Sequence, residues 1–209
     1  MIQKAESGEN GKAIFTADIP IGFHYEVEEI QAPSLYFKGN GSYEFFYEYK
    51  NDKTYTYTFT HTFQNKEVRG EVHIKKIDKD TQDSVSQGDG DFNGAVYGLY
   101  AAEDIQHPNG KTGLLYKKDQ LVMQGTIEKG VLHFKDLYLG KYYVQEISAP
   151  PSNAYLLDKT KYPVELAYEG QDVEIVKKNV TVLETIKKQA FQLIKISDDG
   201  NQTETELLE

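Results

Sequence analysis

Two stretches of this chain return later in the same order, and that internal repeat constrains the fold more than any single motif. Tyr25-Glu-Val-Glu-Glu-Ile-Gln-Ala-Pro33 is echoed by Tyr142-Tyr-Val-Gln-Glu-Ile-Ser-Ala-Pro150, and Val72-His-Ile-Lys-Lys-Ile-Asp78 is echoed by Phe191-Gln-Leu-Ile-Lys-Ile-Ser197 at nearly the same spacing. Self-similarity of this kind is the mark of a tandem array. One unit would run from the Lys76 strand through the Glu146 strand and stop before Lys195. The order of the echoes therefore predicts three parts. Residues 1–67 are the C-terminal part of a truncated repeat, residues 68–187 a complete domain, and residues 188–209 the first strand of a following repeat. The links at Lys66-Glu-Val-Arg-Gly70 and Thr185-Ile-Lys-Lys-Gln189 read as short polar tethers of a beads-in-line stalk.

Period-two alternation of Tyr, Phe, Val, Ile and Thr with polar residues predicts strands. The clearest run is Tyr55-Thr-Tyr-Thr-Phe-Thr-His-Thr-Phe63; others are Val72 to Asp78, Val131 to Phe134, Tyr142 to Glu146 and Val180 to Glu184. Turn residues punctuate these runs at Glu9-Asn-Gly11, Gly39-Asn-Gly41, Gln87-Gly-Asp-Gly90, Pro108-Asn-Gly110 and Glu169-Gly170. Short strands between such turns, with no long 3.6-residue apolar period, predict an all-β Greek-key sandwich of antiparallel strands.

The chain of 209 residues contains no cysteine, which excludes disulfides, thiolate metal sites and a cysteine nucleophile. A formal net charge of -10 and the lack of a basic stripe argue against nucleic acid as a partner. No run approaches the roughly 18 apolar residues of a membrane span, and Met1 precedes a polar stretch, so any export signal or anchor is expected outside this sequence.

Strand parity singles out the residues that could carry chemistry. Lys76 shares parity with Val72 and Ile74, and Glu146 with Tyr142 and Val144, so both charged side chains are expected in one core. Such groups are almost never buried unless paired. Parity leaves two readings open. One is a buried ion pair or a snorkelling lysine. The other is covalent: desolvation yields a neutral amine that attacks a carbonyl polarised by a protonated carboxyl, with a third residue as acceptor.

The combined order Val72-x-Ile-x-Lys76, Asn93-Gly-Ala-Val-Tyr-Gly-Leu-Tyr100 and Leu137-x-x-Gly140-x-Tyr142-x-Val-x-Glu146-x-x-Ala-Pro150 resembles the prealbumin-like Cna protein B-type (SpaA-like) repeats of Gram-positive adhesins and pilins. The resemblance spans the middle unit. It implies an extracellular, cell wall-anchored stalk domain able to form an autocatalytic isopeptide bond, with Lys76 matching the amine donor and Glu146 the catalytic acid. It also implies an acceptor asparagine 11 residues before each lysine strand's lysine. Asn65 occupies that place before Lys76, but Glu184 occupies it before Lys195. Glu184 follows Val180 and Val182 in parity and should face inward. Asn179 is nearby, but its parity is outward unless a bulge shifts the strand. The picture that follows is a crosslink-free core in which Lys76 pairs with Glu146 and Glu184. In the flanking parts Glu29 and Asn65 match acid and acceptor, and Lys195 matches a donor.

Other signals are weaker. Asp89-Gly-Asp-Phe-Asn-Gly94 mimics the opening of a calcium loop, but Tyr100 stands where the bidentate glutamate is expected. The histidines His24, His61, His73, His107 and His133 show no metal-ligand spacing. No cofactor is implied, and without a nucleophile elbow or a phosphate-cradling loop a turnover enzyme is not expected. The sequence is read as a structural stalk segment whose partners are neighbouring repeats of the same polypeptide. Head-to-tail self-association through a strand at Phe191 to Ser197 is a further expectation. The alternatives are a host- or matrix-ligand-binding module, using the tyrosine-rich stretch Tyr43 to Tyr49, or an accessory domain of an exported enzyme.

Overall fold

Alternating side chains make a strand only where a neighbouring backbone completes the ladder, and the fold is decided by which runs find one. The computed structural model describes residues 2–39, 41–196 and 202–208. Ahead of the central unit come β1 (His24–Glu28), β2 (Tyr36–Phe37), β3 (Ser42–Phe46) and β4 (Lys66–Glu67). The central unit contains β5 (Arg69–Asp78), β6 (Val96–Ala101), β7 (Ile105–Gln106), β8 (Leu114–Tyr116), β9 (Leu121–Thr126), β10 (Val131–Leu137), β11 (Gly140–Ser148), β12 (Tyr162–Leu166) and β13 (Ile175–Glu184). After it come β14 (Phe191–Ile196) and β15 (Gln202–Leu208), which pair with each other.

Two sheets face each other in the central unit: a three-stranded sheet in the order β10-β5-β13 and a four-stranded sheet in the order β12-β11-β6-β9. The expected all-β sandwich is present, but it is not wholly antiparallel. β13 runs parallel to β5 across the whole length of both, from Ile175 opposite Arg69 to Glu184 opposite Asp78. A parallel pair requires a crossover, and the rest of the domain supplies it. The inward faces follow parity: Val72 and Ile74 on β5, Phe134 on β10 and Val176, Val180 and Val182 on β13 are buried against Tyr97, Leu99, Tyr142, Val144, Val164 and Leu166. Gly70 marks a close approach between the sheets. A Cβ there would lie 2.5 Å from Leu166 Cδ1, so the strand can sit this close only without a side chain.

The run Tyr55 to Phe63 does not form the expected strand. Its rings nevertheless keep to one face, with Phe59 stacked on Tyr43 and Phe45, His61 on Tyr43, and Tyr57 edge-on to Tyr47. Side-chain stacking along β3 replaces a backbone ladder, and alternation reports only which face a side chain takes. The same contacts occupy the tyrosine-rich stretch on that face.

The Lys66–Gly70 junction is more than a polar tether. β4 pairs with β2, and Val68 N–H donates to Leu35 C=O. Gln171 reaches across from the turn before β13. Its side-chain carbonyl accepts from Ala32 N–H at 2.9 Å, its amide donates to Ile30 C=O at 3.2 Å, and its backbone C=O accepts from Lys38 N–H at 2.9 Å. One side chain thus satisfies the 30–32 backbone as a neighbouring strand would. At the other end of the central unit Lys187 N–H donates to Ala154 C=O and Tyr155 bridges Ile186, a pairing like that of Val68 with Leu35.

Candidate functional site: a buried lysine between two glutamates

Register brings the site together. Lys76 on β5 lies directly opposite Val182 on β13, so Glu184 is its diagonal neighbour two residues on, on the same inward face. Glu146 on β11 lies opposite Tyr97 on β6 in the facing sheet. All four side chains meet where the sheets pack. Lys76 Nζ is 2.7 Å from Glu184 Oε1 and 2.9 Å from Glu146 Oε1, and the three charged side chains are fully buried. The ammonium also lies 5.1 Å from the centre of the Tyr97 ring, whose hydroxyl donates to Glu184 Oε1 at 3.1 Å. Glu146 Oε2 accepts from Asp158 N–H at 2.7 Å.

One ammonium cannot balance two carboxylates, and the surplus falls on Glu184. Among the described residues its Oε2 has no hydrogen-bond partner. Burial pushes its carboxyl up to about 7, with Glu146 adding to the rise and Lys76 opposing it. Burial likewise drives the Tyr97 hydroxyl well above its ordinary range, and the two nearby carboxylates add to that. The raised Glu184 carboxyl makes it the group of the cluster that takes up a proton as pH falls through about neutral.

Tyr162, Asp158 and Asp78 brace the cluster from outside it, by contacts that strand parity does not predict. Tyr162 donates to Asp158 Oδ2 at 2.6 Å and accepts from Leu183 N–H at 3.1 Å, tying β12 to β13 beside Glu184. Burial and that bond to Asp158 push the Tyr162 hydroxyl up to about 12. Asp78, opposite Glu184, is also fully buried. Burial would raise its carboxyl, but the Thr81 N–H, the Gln87 amide and the Asp80 N–H hold it below the ordinary range. The legible signal was a parity match with Lys76, together with Asp78-Lys-Asp-Thr81, an aspartate placed to accept the N–H groups of its own turn.

The remaining candidates separate. Asn179 is exposed on the outer face, and β13 pairs with β5 without a register break from Ile175 to Glu184, so the bulge that would turn it inward does not occur. Asn65 Nδ2 donates to Glu29 Oε1 at 2.8 Å, a half-buried pair in the region before β5, and neither is a hydrogen-bond or ion-pair partner of Lys76 among the described residues. The side chain of Lys195 and all of Ser197 lie outside the described residues, while the β14 backbone pairs with β15. In the calcium-like stretch, Asp91 Oδ1 accepts from Asn93 N–H and Asn93 Oδ1 from Lys129 N–H, so both oxygens serve the turn. A recess at the Gln171 joint, lined by Ile30, Gln31, Ala32, Ser34, Tyr168 and Gln171, has one aromatic side chain and no charged one.

A family profile described as the SpaA prealbumin-like fold domain matches residues 70–181, a stretch running from the start of β5 into β13 and including Lys76 and Glu146. The chain belongs to this family. Solved structures similar to this chain include the Bacillus anthracis TIE protein, at 24% identity and a TM-score of 0.56 over 98% of this chain and 36% of that one. The group B streptococcus pilus 2b backbone protein is 21% identical with a TM-score of 0.41, over 76% of this chain and 52% of that one. BcpA, the major pilin subunit of Bacillus cereus, is 20% identical with a TM-score of 0.36, over 58% of this chain and 31% of that one. The chain spans less than two thirds of each of these proteins, and the first likeness is one of fold. No curated protein sequence matches the chain.

Proposed function

We propose that this SpaA-like chain is a tension-bearing stalk segment of an extracellular adhesin or pilus-like protein of a Gram-positive bacterium, linked in series with neighbouring units of its own polypeptide. The observation that carries this reading is the parallel pairing of β5 with β13 over their whole length. The polypeptide enters the domain at the start of β5 and leaves at the end of β13. Pulling along the chain therefore loads this strand pair in shear, and its hydrogen bonds must fail together. Lys76 and Glu184 bridge the same two strands, and Glu146 ties them to the facing sheet. The pin is noncovalent, because the asparagine nearest in sequence faces outward and a glutamate stands in the inward position.

Two measurements test this. The chain has no cysteine of its own, so handles can be placed at will. Pulling between Lys66→Cys and Thr185→Cys shears β5 against β13, whereas pulling between Lys66→Cys and Asp172→Cys peels them from one end. The shear pair should unfold at several-fold higher force, and equal forces would refute the load-bearing role. Intact mass under denaturing conditions should equal the sequence mass. A deficit of one water that vanishes in Lys76→Ala would instead reveal an amide from Lys76 to Glu184 or Glu146, and a deficit of one ammonia an asparagine acceptor.

A further inference from the structure

The outer face of the β10-β5-β13 sheet brings together two histidines 60 positions apart in sequence. His73 and His133 are direct cross-strand partners. Lys76 N–H donates to Gly130 C=O in the same ladder, and alternation from that hydrogen-bonded pair makes His73–His133 a non-hydrogen-bonded pair. Such pairs hold their Cα atoms closest, at about 4.5 Å, and their side chains side by side. The two rings meet edge to face with centroids 4.3 Å apart.

Glu71, on the same face of β5, fixes the state of one ring. His73 Nε2 lies 3.1 Å from Glu71 Oε2. An ionised carboxylate only accepts, so Nε2 carries the proton and, in the neutral ring, Nδ1 carries the free lone pair. A carboxylate behind a histidine is the arrangement that orients ligating imidazoles in metal sites. We propose that His73 and His133 form a two-histidine chelating site for a borderline divalent metal such as Zn(II), with Glu71 orienting His73.

Two imidazoles on one tetrahedral zinc, with Zn–N of about 2.0–2.1 Å, place their ring centroids about 5 Å apart, so binding needs the centroids to separate by less than about 1 Å and the edge-to-face rings to rotate until both lone pairs meet at the metal. Among the described residues no group of three His, Cys, Asp or Glu side chains converges as a metal site. Solvent therefore completes the coordination, and Glu71 acts from behind His73. Lys75 and Lys177 on this face are exposed, and Lys177 Nζ sits 3.8 Å from Glu71 Oε2. Their charge opposes any cation held by electrostatics alone, which selects metals that bond strongly to nitrogen over Ca(II) or Mg(II). Bound metal would clamp β10 to β5, the central strand of the sheet.

Titration of the untagged chain with zinc chloride, followed by calorimetry and by the imidazole resonances, tests the site. One saturable equivalent is expected, with no such response to magnesium chloride. His73→Ala and His133→Ala should each weaken binding at least ten-fold, and Glu71→Gln about ten-fold. His24→Ala, His61→Ala and His107→Ala should leave it unchanged. Absence of saturable binding, or affinity preserved in His73→Ala and His133→Ala, would overturn the proposal. Both residues lie on the outer face, so the metal-free variants should unfold like the parent chain.

Discussion

Replacing Glu184 with glutamine isolates the surplus proton of the buried cluster. In the folded chain its carboxyl is pushed up to about 7 from an ordinary value of 4.5, so the fold binds that proton more tightly than the unfolded chain does. A raised folded value means that the contribution to stability is fully present below about pH 4.5 and is lost as pH rises through about 7. At 1.36 kcal/mol per pKa unit, deprotonation by pH 8 removes about 3 kcal/mol. Glu184→Gln retains a side-chain oxygen for Lys76 and Tyr97 but cannot ionise. It also places an amide where Oε2 now has no partner, which lowers stability at pH 5 by about 1–3 kcal/mol. The expected result is a crossover. Urea denaturation between pH 5 and 8.5 should show the parent chain losing about 3 kcal/mol relative to the variant, which is the weaker protein at pH 5 and its equal or better at pH 8. Asp78 and Asp158 are depressed groups, whose contributions are lost as pH falls, and they cancel in the comparison. Parallel stability curves for the two proteins across this range would refute the assignment of the proton to Glu184.

Two further outcomes follow from the contacts around the cluster. Tyr162→Phe removes the hydroxyl that joins Asp158 to Leu183 N–H, and should destabilise the domain by about 1–3 kcal/mol in the same urea assay. Gln171→Ala removes the bridge to Ile30 and Ala32 while leaving the sandwich core untouched, so hydrogen exchange at Ala32 N–H should accelerate with no change in the exchange of β5 or β13.

Much of the site was legible in strand parity. Val72, Ile74 and Lys76 had to share a face, as did Tyr142, Val144 and Glu146, because a pleated strand alternates whatever it packs against. Glu184 was marked in the same way by Val180 and Val182. Parity could not supply Tyr97, Asp158 or Tyr162, whose roles depend on cross-strand pairing or a loop path between segments distant in sequence. It also misled at Tyr55 to Phe63, where alternation was real but no backbone partner completed a ladder.

By itself, then, the sequence determined the fold class, the sandwich's inward faces and the presence of a lysine and two glutamates in a core, since these follow from period-two geometry and the cost of burying unpaired charge. Tertiary structure alone decided that β13 runs parallel to β5 without a bulge. That single register sets Glu184 beside Lys76 and turns Asn179 to solvent, and the matching register of β10 sets His133 against His73. Register between distant strands is a property of closure and packing across the whole domain, and no local alternation encodes it.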